Sequence, residues 1–203
     1  MSIVISPAAE AELPECARLI TRALIDDAVM HRLVPGAEDR LRRMTAALLA
    51  ELRGGAFAHG VVDTARNESG GPLLGVAAWV APRPPRCTPR RAVEHVRGIR
   101  AVGLRRMPAA IRADHRLTRD HPTMPHWYLE DIAVAEGARG MGVGSALIEH
   151  GLARVDADAL PAYLESTTPA SRRLYARHGF GPLGVVDLGG GATATTMLRP
   201  AAI

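Results

Sequence analysis

The sequence predicts a single domain of the mixed α/β (α+β) class, spanning residues 1–203. Its length suits one domain with a full hydrophobic core. Short apolar runs typical of strands alternate with segments that have helical periodicity. Turn-forming sequences join two pairs of strands into hairpins, and there is no internal repeat or low-complexity linker.

The first 80 residues predict a strand, two helices and a hairpin. The strand covers 3–6, and the first helix covers 8–24 with Pro14 interrupting it near its start. The hairpin strands, 58–65 and 73–80, flank the turn sequence NESGGP. The second helix is indicated by apolar residues at helical spacing that end at two glycines: Leu41, Met44, Leu48, Leu52, Gly54 and Gly55.

Residues 82–126 are predicted to be the least regular part of the chain. Apolar spacing favours a helix over 93–102, and Pro108 is expected to break that pattern. A long segment of this kind is often a lid or a binding element. Prolines mark its beginning: Pro82, Pro84, Pro85 and Pro89.

The second half predicts an alternation of strands and helices. A helix follows the glycine-rich loop RGMGVG at 139–144, and a short helix covers 170–177 before Gly179, its expected C′ residue. One stripe of the first of these helices is apolar, formed by Ile148, Leu152, Val155 and Ala159. The predicted strands are 126–134, 162–167, 183–188 and 192–198.

The composition excludes several kinds of chemistry. All 25 basic residues are arginine, so a Walker phosphate loop, Schiff-base catalysis and pyridoxal-phosphate catalysis, which need a lysine, are excluded. Eleven arginines lie between Arg83 and Arg119, opposed only by Glu94 and Asp114. Without aromatic residues for base stacking, this segment is interpreted as a solvated insertion, and nucleic acid is not an expected partner.

The chain is expected to be cytoplasmic. It has no apolar run of the roughly 20 residues that a membrane span needs, and its N-terminus lacks the basic segment of a secretory signal. Cys16 and Cys87 lie far apart and form no CxxC motif, so both are interpreted as reduced thiols. No metal site is expected.

The RGMGVG loop suggests a phosphate ligand. Closely spaced glycines allow close backbone approach and leave N–H groups free at the start of a helix, where the helix dipole favours an anion. A Rossmann dinucleotide site fits poorly, because the glycines run GxGxG late in the chain and Ser145 replaces the third glycine. The strand about 20 residues further on carries Glu165 as its acidic residue.

In its context, the loop resembles the acetyl-coenzyme A signature of the GNAT N-acetyltransferases. Arg139, Gly142 and Gly144 match that signature between an IAV strand end and a helix, and LYARHGF at 174–180 is similar to the second coenzyme-binding segment of the family. The stretch from WYLEDIAV to YLESTTPASRRLYARHGF most resembles the puromycin N-acetyltransferase-like branch. The insertion at about 82–126 has no counterpart in this pattern.

The resemblance implies a mostly antiparallel central sheet flanked by helices, with a V-shaped splay between the fourth and fifth strands. The pantetheine arm of acetyl-coenzyme A would lie in that splay, and an N–H near Val134 would polarise the thioester carbonyl. The implied coenzyme-binding residues are Ile132, Ala133, Val134, Arg139, Gly140, Met141, Gly142, Val143, Gly144, Ser145, Ser171 and Tyr175.

Amine acetylation requires two proton transfers, and the sequence offers candidates for both. The resemblance places Tyr175 beside the coenzyme sulfur, where it would protonate the leaving thiolate, with Ser171 on the same helical face. Glu130 is the candidate base, since strand alternation predicts Tyr128, Glu130, Ile132 and Val134 on one face and Asp131 on the other. Glu165, His121, His126 and water alone are the alternatives for the base.

These observations predict an enzyme that transfers an acetyl group from acetyl-coenzyme A to the primary amine of a small molecule in a ternary complex. Two alternatives stay open: a non-catalytic acyl-coenzyme A sensor, and a protein or peptide N-acetyltransferase. The sequence does not name the amine. Its pocket is expected from residues 25–35, the strand near Trp79, and the insertion. A homodimer through the terminal hairpin is a further expectation.

Overall fold

The computed structural model describes residues 2–68, 70–84 and 88–202 and contains a seven-stranded sheet. The strand order is β1-β2-β3-β4-β5-β7-β6, and every neighbouring pair is antiparallel except β4 and β5. This confirms the predicted fold class. The strands are β1 Val4–Pro7, β2 Gly60–Arg66, β3 Leu73–Val80, β4 Trp127–Val134, β5 Ala162–Ser166, β6 Gly181–Gly189 and β7 Ala192–Arg199.

Helices cover both faces of the sheet. On one face α1 and α3 enclose a core around Ile20, Met44 and Val76, and on the other face α7 encloses a core around Leu147, Ile148 and other apolar residues. The helices are α1 Leu13–Leu24, α2 Ala28–Leu33, α3 Arg40–Gly54, α4 Ala56–His59, α5 Pro89–Val102, α6 Met107–Arg119, α7 Val143–Ala157 and α8 Pro169–Arg177.

The first helix begins later than the sequence predicted. Residues 8–24 are not one helix: a short 3₁₀ turn, Glu10–Glu12, precedes α1, and Pro14 lies in the first turn of α1. Proline suits this position because the N–H it lacks has no partner in the first helical turn. The C-terminal end of α8 is as predicted, since Gly179 has a φ of +86°.

The insertion at 82–126 is more regular than predicted, because it contains both α5 and α6. Pro108 does not break a helix; it lies in the first turn of α6. Ala113 and Leu117 of α6 pack with Val29 of α2 and Val186 of β6. The insertion therefore connects α2 to the C-terminal hairpin. Pro85 and Cys87, two residues considered in the sequence, lie outside the described residues.

Trp79 in β3 belongs to the core and not to a pocket. Its side chain is fully buried, and a Cβ added at Gly151 of α7 would lie 2.3 Å from the indole Nε1. The absence of a side chain at Gly151 therefore lets α7 approach the sheet closely. The Trp79 side chain itself faces α7, and the expectation that the strand near Trp79 contributes to the acceptor pocket stays a prediction.

None of the helices in the described part of the chain has the length and apolar character that crossing a lipid bilayer requires.

Candidate active site

The strands β4 and β5 separate soon after they begin. They pair only at Trp127 with Ala162 and at Tyr128 with Tyr163, although β4 continues to Val134 and β5 to Ser166. Beyond Tyr128, the backbone groups of β4 that face β5 have no strand partner among the described residues. The result is the V-shaped opening between the fourth and fifth strands that was predicted.

The backbone of β4 presents N–H groups to this opening. Ala135 donates its N–H to the carbonyl of Leu74 on β3 at 2.8 Å. In an antiparallel ladder the residues that bond to a given neighbour alternate. Because Ala135 faces β3, the N–H groups of Val134 and Ile132 face away from β3, toward the splay. An N–H of this kind can polarise a carbonyl oxygen placed in the opening.

A β-bulge at Glu130 changes the alternation of side chains along β4. Asp131 pairs with Ala78 and Leu129 with Trp79, so Glu130 is the extra residue on β4. Consequently Ile132 and Val134 pack against the core beneath α7, whereas Tyr128 packs against the core beneath α1 and α3. The predicted face shared by Tyr128, Glu130, Ile132 and Val134 is therefore wrong, because simple alternation cannot anticipate an inserted residue.

Glu130 lies against the junction between α3 and α4. A Cβ added at Gly55 would lie 2.9 Å from Glu130 Oε2 and 3.0 Å from Oε1, so the carboxylate occupies the space left by this glycine. Burial raises the pKa of Glu130 well above its ordinary value, and the charges of Glu51 and Asp131 raise it further. The Ala56 backbone and the charge of Arg91 oppose that shift.

Other carboxylates lie close enough to interact with Glu130 or with one another. Loss of hydration, followed by the charge of Asp114 on α6, raises the pKa of Glu51 to about 7. Loss of hydration also raises the pKa of Asp131 and of Asp114. Glu51 and Asp114 are themselves exposed, so they lie on the solvent side of this group. We refer to Glu51, Asp114, Glu130, Asp131 and Glu165 as the cleft carboxylates.

A cluster of rings surrounds Glu165, which is the alternative base on β5. His121 Nε2 lies 2.8 Å from Glu165 Oε1, and the Glu165 side chain is only 8% exposed. The His121 ring lies 4.8 Å from the ring of Tyr128 and 4.7 Å from that of Tyr163, between centroids. His126 contacts Tyr163, and its Nδ1 is 2.8 Å from the carbonyl of Met124. The structure thus brings the rival bases of the sequence analysis together at the start of the splay.

The RGMGVG loop leads directly into α7. Gly140 and Gly142 have φ values of +78° and +83°, and a Cβ added at either residue would have no atom within 4 Å. Their backbone is therefore open to an approaching ligand. Met141 is exposed, Val143 begins α7, and the adjacent Gly144 and Ser145 belong to its first turn. A phosphate placed here would meet the positive end of the α7 dipole.

A cavity of about 690 Å³ adjoins this loop, between α1 and the C-terminal end of β4. Arg139 of the loop contributes to its lining together with Arg18 and Arg22 of α1, and glutamates of α1 and the neighbouring turns also line it. The cleft carboxylates do not line this cavity. The cavity therefore lies on the side of the site that the RGMGVG loop occupies, away from the cleft carboxylates.

Tyr175 and Ser171 occupy different environments on α8. The Tyr175 side chain is 6% exposed, and burial, followed by the charge of Asp131, raises its pKa. The Ser171 hydroxyl lies 2.7 Å from the Ser166 hydroxyl and takes part in the capping box with Thr168 at the start of α8. Ser171 therefore has a structural role that the sequence analysis did not anticipate.

Two of the cleft carboxylates, Glu51 and Asp114, were not predicted as site residues from the sequence. Glu51 lies on a helix predicted only from its apolar positions, and Asp114 was noted only as a charge opposing the arginines. Their placement depends on how α3 and α6 pack in the tertiary structure, which no local pattern encodes. Among the described residues, no group of three or more His, Cys, Asp or Glu side chains is arranged to hold a metal ion.

Comparisons with known proteins agree with this geometry. Residues 109–180 match the model of the Acetyltransferase (GNAT) family. A crystal structure described as histone acetyltransferase HPA2 and related acetyltransferase, from Corynebacterium glutamicum, is 32% identical with a TM-score of 0.76 and covers 100% of this chain and 98% of its own.

Two more distant structures share the fold. The mosquito arylalkylamine N-acetyltransferase like 5b is 17% identical, with a TM-score of 0.60 and coverage of 98% of this chain and 99% of its own. The NatC complex bound to Gag peptide and CoA has 17% identity, a TM-score of 0.54 and full coverage of both chains. From the closer relationship to the Corynebacterium protein and the family match, the chain belongs to the GNAT acetyltransferase family, whose members are generally acetyl-CoA-dependent acyltransferases.

Proposed function

We propose that this protein is an N-acetyltransferase that moves an acetyl group from acetyl-CoA to the primary amine of a small molecule. The observation that carries the proposal is the combination of an open glycine loop at the start of α7 with a splay that ends beside buried carboxylates. The loop can hold a pyrophosphate, and the carboxylates can accept a proton from an amine.

The residues of the splay and the loop fit the co-substrate. Of the backbone N–H groups across 139–144, those of Arg139 and Met141 already donate to the carbonyls of Glu136 and Ala138. The remaining N–H groups of the loop would hold the pyrophosphate, with the Arg139 side chain adding positive charge. The backbone of β4 from Ile132 to Val134 would contact the pantetheine arm, and the Val134 N–H would donate to the thioester oxygen. The thioester supplies an activated acyl carbon, and these groups position it and stabilise the charge that develops on its oxygen.

The proton transfers are assigned to Glu130 and Tyr175. Glu130 accepts a proton from the amine, directly or through a water molecule, while the amine nitrogen bonds to the acyl carbon. As the carbon–sulfur bond breaks, Tyr175 donates its hydroxyl proton to the leaving thiolate. The raised pKa of Tyr175 keeps its hydroxyl protonated at neutral pH. The alternative base is Glu165 with His121.

A small-molecule acceptor is favoured by the position of α6. This helix packs against α2 and the C-terminal hairpin, and Asp114 on the same helix interacts with Glu51 in the cleft. The insertion therefore encloses one side of the acceptor cleft, which would restrict a long peptide. The resemblance to the puromycin N-acetyltransferase-like branch supports the same substrate class. A protein substrate is the competing possibility, since the Corynebacterium relative is described as a histone acetyltransferase.

The test begins with calorimetry of acetyl-CoA binding, for which a Kd in roughly the micromolar range is expected. Free-thiol release is then measured with a panel of amines, including aminonucleosides and a lysine peptide, and the acetylated product is identified by mass. Because the chain has no lysine, acetylation of its own lysine side chains cannot consume acetyl-CoA. Binding without turnover on any amine would favour a sensor, and turnover of the peptide alone would favour a protein acetyltransferase.

The exposed edge of β6 supports a homodimer. Leu183 and Val185 are 56% and 68% exposed on this outermost strand, and an unpaired edge with apolar side chains suits a second copy of the same strand. Sedimentation of the wild type and of a Val185→Lys variant tests this contact, with a shift to monomer expected for the variant.

Cys16 is a free, buried thiol, and a cytoplasmic location, where thiols stay reduced, is part of the proposal.

A further inference from the structure

The cavity beside the RGMGVG loop has two groups of charged residues in its lining. Arg66 lies 2.8 Å from Glu12 and 3.0 Å from Glu15, between the charged atoms, and it also donates to the carbonyl of Gly71. These three side chains therefore balance much of one another's charge. Positive charge is in excess among the other charged residues that line the cavity in the described part of the chain, which are Arg18, Arg22, Glu136 and Arg139.

The side chains of Arg18, Arg22 and Arg139 form no ion pair or hydrogen bond with the described residues. Arg18 and Arg22 are four positions apart on α1, so they share one face of that helix, and Arg139 reaches the cavity from the loop. By contrast, Arg154 is paired with the buried Asp63. Three guanidinium groups that line one cavity without an acceptor indicate an anionic ligand, since each offers five N–H donors.

The same cavity also has an apolar part. Leu19 of α1, Leu73 of β3 and Val134 of β4 line it, and its volume of about 690 Å³ is typical of sites that hold small organic molecules. A small inorganic anion would contact only the arginines. A ligand that combines an anionic group with a flat heterocycle would use both parts, and a phosphorylated nucleoside has this combination.

Acetyl-CoA carries such a group beside its pyrophosphate. The pyrophosphate is attached to the ribose of an adenosine, and the 3′-oxygen of the same ribose bears a phosphomonoester with nearly two negative charges at neutral pH. We infer that the cavity holds this adenosine 3′-phosphate, with Arg18 and Arg22 binding the phosphomonoester beside Arg139. This assignment rests on the proposed binding of acetyl-CoA, and it gives a role to α1, which lies outside the sequence signature of the loop.

The test is calorimetry without any acceptor amine, so its result does not depend on turnover. The Kd of CoA is compared with that of dephospho-CoA, which lacks only the 3′-phosphate. Adenosine 3′,5′-bisphosphate and inorganic phosphate are titrated separately, because neither has a pantetheine arm. The variants are Arg18→Gln, Arg22→Gln and the double variant. Arg42→Gln is the matched control, since Arg42 is exposed on α3 and pairs with Asp39.

The wild type should bind CoA about tenfold or more tightly than dephospho-CoA, because hydrogen bonds between charged groups are stronger than neutral ones. Arg18→Gln and Arg22→Gln should each reduce this preference, the double variant should remove it, and Arg42→Gln should retain it. The Kd of dephospho-CoA should stay the same in all variants. Adenosine 3′,5′-bisphosphate should bind the wild type and lose affinity in the double variant.

Equal affinity for CoA and dephospho-CoA would overturn the assignment and leave the proposed acetyl transfer intact. A preference for CoA that persists in the double variant would place the 3′-phosphate elsewhere and would also overturn it. Inorganic phosphate that binds through Arg18 and Arg22 while CoA does not bind would assign the cavity to a free anion. That last result would refute both the nucleotide assignment and the proposed function.

Discussion

Thr167 donates its hydroxyl hydrogen to Asp27 Oδ2 at 2.5 Å, joining the end of β5 to the beginning of α2. The other oxygen of Asp27 accepts from the Val29 and Met30 N–H groups as the N-cap of α2. A single carboxylate therefore holds α2 beside the splay.

Replacing Thr167 by valine should destabilise the fold, because Asp27 would lose a donor without a change in side-chain shape. The expected loss in free energy of unfolding is about 1–2 kcal/mol, measured by urea denaturation. Thr45→Val is the control, since the Thr45 hydroxyl bonds only to Leu41 within α3. A similar loss in both variants would show that the contact with Asp27 contributes nothing.

Gly142→Val should abolish acetyl-CoA binding, because the branched side chain would occupy the space in which the pyrophosphate meets the backbone. Valine at a positive φ also adds backbone strain of about 1–3 kcal/mol. Gly191→Val controls for that strain: Gly191 has a φ of +81° and open space around it, and it lies in the β6–β7 turn. Calorimetry should detect no binding to the first variant and normal binding to the second. Retained binding by Gly142→Val would place the phosphate elsewhere.

Tyr175→Phe should lower kcat by roughly 10²-fold or more if Tyr175 is the general acid, with little effect on the Kd of acetyl-CoA. Because burial raises the pKa of Tyr175, its hydroxyl is protonated throughout the working pH range. Tyr163→Phe, which alters the fully buried tyrosine of β5, should change the KM for the amine more than kcat. Unchanged turnover in Tyr175→Phe would refute the assigned role.

The pH profile of kcat/KM should distinguish Glu130 from Glu165 as the base. A carboxyl with a raised pKa becomes a base only above that pKa, so activity should rise with pH in a limb displaced upward from the ordinary value of 4.5. Glu130→Gln should remove this limb and lower the rate by roughly 10²-fold. Glu165→Gln should retain the limb. The opposite pattern would assign the base to Glu165 and His121.

Glu51→Gln should stabilise the protein at alkaline pH. The pKa of Glu51 is raised in the folded state from 4.5 to about 7, so its favourable contribution is complete below pH 4.5 and is lost as the pH rises through about 7. At pH 8 the variant should gain roughly 2–4 °C in Tm over the wild type, and at pH 4.5 it should gain nothing. Glu149→Gln, which alters an exposed glutamate of α7, should show no such difference, and a gain independent of pH would exclude titration of Glu51 as its cause.

The strands, most of the helices and the phosphate loop could be predicted because each has a local pattern. The apolar run of β3, the stripe on α7 and Gly179 after α8 are examples in which the nearest residues determine the conformation. Glu130 shows the limit of this approach. A bulge forms when two strands pair with unequal numbers of residues, and the sequence of either strand alone does not indicate this mismatch.

The acceptor cleft could not be predicted for a related reason. Asp114 and Glu51 are 63 positions apart in the sequence, and they approach only because α6 packs against α2 and the C-terminal hairpin. Their spacing along the chain has no periodicity to detect. The RGMGVG loop, by contrast, consists of consecutive residues, so the local sequence alone indicates its conformation.

The short pairing between β4 and β5 divides the sheet into two parts. Four strands lie on one side of this seam and three on the other, and the backbone pairing across it involves only Trp127 with Ala162 and Tyr128 with Tyr163. The contacts of α6 with β6, and of Asp27 with Thr167, also connect the two parts of the sheet. Leu129 on one side of the seam and Leu164 on the other belong to the same core beneath α7. The width of the reaction site is therefore set by side-chain packing more than by backbone pairing.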